Sequence, residues 1–165
     1  MKMKVSLYIF TIFMLILSAC SSNEASEHED HEEHHERPSF MSGDLREETG
    51  SVDLLPSFLA DKPENMKTIY IAAAKHPHVL EHIPCYCGCG DSAGHKSSLN
   101  CFVNEIREDG SLVWDDHGTR CGVCLEIAAK SVIDYSQGKS IQEIRDVIDE
   151  TYKEGYANPT PTPKL

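Results

Sequence analysis

The sequence has no apolar run of the ~20 residues that a membrane-spanning helix needs. The longest, Val5 to Leu17, holds 13 residues and is interrupted by Ser6 and Thr11. The chain is also short of positive charge, with 15 Lys and Arg against 27 Asp and Glu and a net charge of −12. Such a surface repels phosphate backbones, which argues against nucleic-acid binding. It suits anionic lipid headgroups poorly and favours cations, metal ions among them. No internal repeat is visible. No serine, histidine and acid stand in the local context of a hydrolytic triad. Gly138-Lys139-Ser140 lacks the earlier glycine of a phosphate loop, because Ile133 stands in its place. The adjacent acids Asp115 and Asp116 read as turn residues rather than a general acid and base. At 165 residues there is room for one modest domain with tails. A core that small calls for a staple of some kind.

Cysteine is what the chain has in excess, seven in all. The first belongs to an address. Lys2 and Lys4 form a positive n-region, and Val5 to Leu17 has the length of a secretory h-region. Leu17-Ser18-Ala19-Cys20 then resembles a bacterial lipobox. On this reading residues 1–19 are a lipoprotein signal peptide and Cys20 carries the lipid. Two acyl chains, at ~0.8 kcal/mol per buried CH2, suffice for stable membrane anchoring. The expected location is the extracytoplasmic face of the cell membrane, where disulfides can persist.

Residues 20–51 form a lipidated linker rich in His and Glu. Ser21 to Glu36 holds His28, His31, His34 and His35 among acidic residues and no large apolar side chain. It cannot bury enough surface to offset its ordering entropy, so it reads as a disordered spacer. Its four histidines could also capture metal ions weakly. Arg37 to Ser51 reads as polar and irregular.

The domain proper spans residues 52–156. Its fold class reads as mainly α, a small helical domain with a long Cys-rich structured loop and a short β-hairpin. Val52 to Ala60 suggests a short helix interrupted by Pro56. Asp61 reads as an N-cap with Pro63 in the first turn. Met66, Ile69, Tyr70 and Ala73 then share one helical face until Pro77 stops the helix. Asp109-Gly110 marks a turn between two short alternating pieces within Val103 to Trp114. Cys121 opens the longest helix, with a buried stripe of Leu125, Ala128, Ala129, Val132 and Ile133 and Gly138 as its C-cap. Ser140 and Glu143 make a capping box for a last helix with core face Ile141, Ile144, Val147, Ile148 and Tyr152. Residues 157–165 read as an extended Pro/Thr-rich tail.

The remaining six thiols fall in this domain. Pro84-Cys85-Tyr86-Cys87-Gly88-Cys89-Gly90 packs three into five residues, and Cys101, Cys121 and Cys124 follow. Short Gly-containing spacers let consecutive ligands wrap one ion, with thiolate sulfurs ~2.3 Å from it. Cys121 and Cys124 begin a helix, whose dipole favours thiolate. His95 and His117 are the nearest nitrogen ligands. The candidate metal set is therefore Cys85, Cys87, Cys89, Cys101, Cys121, Cys124, His95 and His117. Soft thiolates select Cu(I) or zinc, as two zinc ions or a thiolate-bridged cuprous cluster. Three other uses stay open: three disulfides stapling a structural or interaction protein, a thiol oxidoreductase acting through Cys121 and Cys124, and an iron–sulfur centre. The residues point more to a binding module than to an enzyme, and they name no protein partner.

Pro84-Cys85-Tyr86-Cys87-Gly88-Cys89, His95-Lys96-Ser97 through Cys101-Phe102, and Asp116-His117-Gly118 through Cys121-Gly122-Val123-Cys124 together resemble the PCYCGC-motif lipoproteins of bacilli and related Gram-positive bacteria. The resemblance runs from about Leu54 to Tyr152 and includes the signature itself. It implies a cell-surface lipoprotein and gives no residue a role.

Overall fold

The computed structural model describes residues 43–165. The expected signal peptide, the expected lipidation site Cys20 and the histidines His28, His31, His34 and His35 lie outside the described residues. Among the described residues, five helices and a three-stranded antiparallel sheet make the fold, which is mixed rather than clearly mainly α.

The sheet has the order β1-β3-β2, with β1 at Arg46–Thr49, β2 at Val103–Ile106 and β3 at Leu112–Asp115. β2 and β3 form the hairpin expected around Asp109-Gly110. Arg107 accepts from Gly110 N–H at 3.0 Å, and Gly110 takes φ +87° to close the turn. A bulge at Asn104 shifts the register between Val103↔Trp114 and Glu105↔Val113. β1 is a correction. The stretch read as irregular pairs with the far edge of β3, from Arg46↔Asp115 to Thr49↔Leu112. Its own pattern is polar and half exposed, so its partner, not its composition, makes it a strand. Trp114 points into the core, fully buried, and donates through Nε1 to Thr49 Oγ1 at 2.8 Å.

Helix α1 is Glu64–Lys75, with Pro63 at the N-cap position and no side-chain cap. Asp61 is not the cap. Pro63 has no N–H to satisfy, and its extended ψ of 147° delays the helix by two residues. Tyr70 and Ala73 are buried and Met66 and Ile69 half-buried, the expected face. The segment at Pro56 is only a 3-10 turn, Ser57–Leu59, which buries Leu59. α2 is the single turn Pro77–Leu80 and α3 the single turn Cys89–Ser92.

Helix α4, Gly122–Ser136, is the hub against which α1, α2 and α5 pack. Its buried stripe is Cys124, Ile127, Ala128, Ser131 and Asp134, while Ile133 is 54 % exposed. Relative to the expected stripe, the helix is rotated so that Cys124 enters the interior. Asp134 is tolerated there because Lys130 and Lys139 reach it at 3.1 and 3.0 Å. A Schellman motif ends α4, with Lys139 N–H on Asp134 O and Gly138, at φ +88°, donating to Tyr135 O. Helix α5, Ile141–Thr151, starts on the expected capping box of Ser140 and Glu143. Ile144, Ile148 and Tyr152 are buried, but Val147 is largely exposed.

Residues 157–165 form no helix or strand, and they pack on the Cys-rich loop. Thr160 N–H donates to Cys85 O at 3.0 Å and Thr160 Oγ1 accepts from Cys85 N–H at 2.9 Å. Ala157 N–H donates to Tyr86 O, and Thr162 Oγ1 to Lys96 O. Arg145 holds the strap from below through Thr162 O and Pro163 O.

Candidate metal centre

Three separate pieces of chain deliver the thiols, and a fourth delivers an imidazole. The loop 84–89 brings Cys85, Cys87 and Cys89. Gly88, at φ +90°, turns the chain so that Cys89 begins α3. The 3-10 turn Ser98–Cys101, closed by a Ser97/Asn100 capping box, supplies Cys101. Cys124 comes from the third position of α4, where unpaired N–H groups and the helix dipole favour a thiolate. The 3-10 turn Asp116–Arg120, capped by Asp115 accepting from His117 N–H, supplies His117.

The thiols converge. Cys85 Sγ lies 3.5 Å from both Cys87 Sγ and Cys124 Sγ, and Cys124 Sγ lies 3.4 Å from Cys87 Sγ. Cys89 and Cys101 are 3.7 Å apart. Two groups of four ligands result: Cys85, Cys87, Cys101 and Cys124, and Cys87, Cys89, Cys101 and His117, with all atoms in each within 4.8 Å of one another. Either group could hold a metal ion, and Cys87 and Cys101 belong to both. A tetrahedral ion with sulfur at ~2.3 Å and nitrogen at ~2.05 Å spaces two sulfurs by about 3.8 Å and a sulfur–nitrogen pair by about 3.6 Å. The nitrogen edges match: His117 Nε2 to Cys87 Sγ is 3.6 Å and His95 Nδ1 to Cys101 Sγ is 3.5 Å. The sulfur contacts Cys85–Cys87, Cys85–Cys124, Cys87–Cys124 and Cys89–Cys101 fall within a few tenths of an ångström of that spacing.

Cys85, Cys89, Cys101 and Cys124 are fully buried, and Cys87 is half-buried. Close packing divides the protons unevenly. Hydrogen bonds from Cys101 and then Cys124 hold the Cys85 thiol down at about 4. The same donors drive Cys87 below the ordinary thiol range. Cys101 is pushed well above it by Cys124, Cys85 and Cys87. A cation bound here would take the place of protons shared among these thiols. The Cys87 sulfur, against burial and with help from Asp44, raises the His117 imidazole to about 9. Burial lowers His95, with Asp115 and Asp44 opposing it.

Behind the histidines stands a carboxylate layer that the sequence did not reveal. Asp44 Oδ1 lies 2.9 Å from His117 Nδ1 and Asp44 Oδ2 3.1 Å from His95 Nε2. Asp44 also pairs with Arg120. Asp115, fully buried, takes Arg46 Nε at 3.1 Å. Tyr86 shields the loop, stacked on Tyr152 at 5.7 Å with its hydroxyl on Asp149. Of the eight residues expected at the centre, six fall in the two four-ligand groups, His95 lies beside Cys101 at 3.5 Å, and Cys121 joins neither group. Cys121 is the N-cap residue of α4, and its extended backbone, φ −133° and ψ 111°, takes it out of phase with Cys124. His82, close in sequence, is also in no such group.

These features define a helix-rich protein folded around a buried thiol–imidazole cluster. The chain belongs to the family described as proteins of unknown function with a PCYCGC motif, whose model matches residues 9–165. No curated protein and no solved structure matches it.

Proposed function

We propose that this protein is a membrane-anchored extracytoplasmic lipoprotein that binds a soft metal ion, Cu(I) or zinc, in a thiolate–imidazole centre. The observation that carries the reading is the packing of five thiols and two imidazoles, with six of their contacts near the edge lengths of metal–ligand tetrahedra. Because Cys87 and Cys101 are common to both four-ligand groups, the centre takes two ions bridged by these sulfurs. Sulfur-rich ligation selects these soft ions over magnesium or calcium. The partly exposed side, at Cys87 and His117, is where ions exchange. The lipid on Cys20 tethers the centre to the membrane, and His28, His31, His34 and His35 gather ions beside it.

The alternatives fit less well. Three disulfides would need Cys121 paired, and it belongs to neither cysteine group. A dithiol enzyme using Cys121 and Cys124 would need both thiols at one place, and the sheet is antiparallel rather than part of a βαβ unit. Touching sulfurs leave no space for an iron–sulfide cage. Native mass spectrometry of the full chain, purified without air, tests the proposal. It predicts up to two zinc or copper ions per chain and reduced thiols in the cluster. A metal-free chain whose cluster thiols are all in disulfides would contradict it.

A further inference from the structure

Each imidazole of the centre presents its two nitrogens to two different surroundings. His117 has Nε2 3.6 Å from Cys87 Sγ and Nδ1 2.9 Å from Asp44 Oδ1. His95 has Nδ1 3.5 Å from Cys101 Sγ and Nε2 3.1 Å from Asp44 Oδ2. One carboxylate therefore faces the outer nitrogens of both rings. The inner nitrogens face Cys87 and Cys101, the two sulfurs common to both ligand groups. His95 is 3 % exposed, and its Nε2 has no hydrogen bond of acceptable angle although the carboxylate is beside it. A small rotation of the ring, such as coordination at Nδ1 would impose, would complete that bond.

Asp44, His95 and His117 could also be read as a separate two-nitrogen, one-oxygen metal site. Arg120 decides between the readings. Its guanidinium already pairs with Asp44 and, at 3.0 Å, with Asp116. A divalent ion on the same carboxylate would meet that charge at close range. It would also draw both rings away from the thiolates.

Resting on the soft-metal reading above, we propose that Asp44 is the positioning residue of the centre. It accepts from Nδ1–H of His117 and Nε2–H of His95, which leaves His117 Nε2 and His95 Nδ1 as the coordinating atoms. Arg120 holds the carboxylate in place. The arrangement makes His95 a ligand beside Cys101, in addition to the two four-ligand groups.

The test compares the full chain with Asp44→Asn, both prepared anaerobically, by titrating Zn2+ against a chromophoric chelator. Asn offers one acceptor where the carboxylate offers two, and its NH2 meets a ring N–H. The variant is expected to bind Zn2+ about 10–100-fold more weakly. Its Co2+ form should show displaced d–d bands while the thiolate charge-transfer band persists, and Asp44→Glu should recover part of the affinity. A wild-type chain that binds, with Asp44→Asn within about twofold of it and an unchanged Co2+ spectrum, overturns the role of Asp44 and leaves the metal centre standing. A wild-type chain that binds neither ion overturns both. Long-range nitrogen–proton NMR spectra of the zinc-loaded wild type do not depend on any variant folding. They should place the protons on Nδ1 of His117 and Nε2 of His95, and the opposite tautomers would overturn the proposal.

Discussion

Gly118→Ala is a sharp probe of how the core fixes the centre. Gly118 follows His117 in the 3-10 turn Asp116–Arg120. A Cβ there would lie 2.6 Å from Phe102 Cε1, 2.9 Å from Phe102 Cδ1 and 3.0 Å from Cys101 O. Carbon atoms in ordinary contact stand ~3.5–4.0 Å apart, so the turn and Phe102 must separate by roughly 1 Å. Phe102 has no room to yield. It is fully buried and edge-on to Tyr70, with ring centroids 5.0 Å apart. The other obstacle is the backbone of Cys101, itself a ligand. The turn must therefore move and carry His117 with it. Overpacking of this kind costs about 1–3 kcal/mol. For a domain of this size that lowers Tm by roughly 3–6 °C per kcal/mol. Metal–ligand distances tolerate only about 0.2 Å, so the displaced imidazole is lost as a ligand. Thermal melts of the metal-free chain and zinc titrations of the same sample read the two effects separately. A variant with unchanged Tm and unchanged zinc affinity would refute the argument that close packing of Gly118 on Phe102 sets the position of His117.

Two further predictions follow from the same geometry. Cys87→Ser removes a sulfur common to both ligand groups and should lower the metal content of the anaerobic chain, whereas Cys121→Ser should leave it unchanged; equal losses, measured by elemental analysis, would contradict the placement of Cys121. Asp134 gives a pH-dependent test away from the centre. Lys139 and then Lys130 lower its carboxyl below the ordinary value. A lowered folded-state pKa contributes stability above the unfolded value of about 3.9, which is lost as pH falls through the folded value. Both lysines are well exposed, so screening limits the effect to about 1 kcal/mol. Asp134→Asn should therefore be less stable than wild type at neutral pH and level with it in strong acid, as urea denaturation at several pH values would show. A gap that widened toward low pH would contradict the assignment.

Local signals were readable in the sequence wherever neighbours in the chain make the structure. The capping box of Ser140 and Glu143, the Asp109-Gly110 hairpin and the Gly138 C-cap each depend on residues a few positions apart. The phase of α4 was not readable in the same way. Its apolar residues allow more than one stripe, and the choice falls to Cys124, which must face a loop far away in sequence. β1 and Asp44 escaped for a related reason. Arg46 pairs with Asp115 and Asp44 with His117, contacts across about seventy residues that no local pattern encodes. The C-x-x-C spacing overstated its own cohesion, because an N-cap residue does not share the helical phase of the residue three positions on. The composition of the Pro/Thr tail gave no sign that Thr160 and Thr162 would be buried against the Cys-rich loop.

X-ray absorption at the zinc and copper K-edges, on the full chain purified without air, tests the central claim most directly. The account predicts a first shell dominated by sulfur at ~2.3 Å with a minor nitrogen contribution, and a smaller sulfur amplitude in Cys87→Ser. A shell of oxygen and nitrogen alone, or no bound metal with the thiols still reduced, would contradict it.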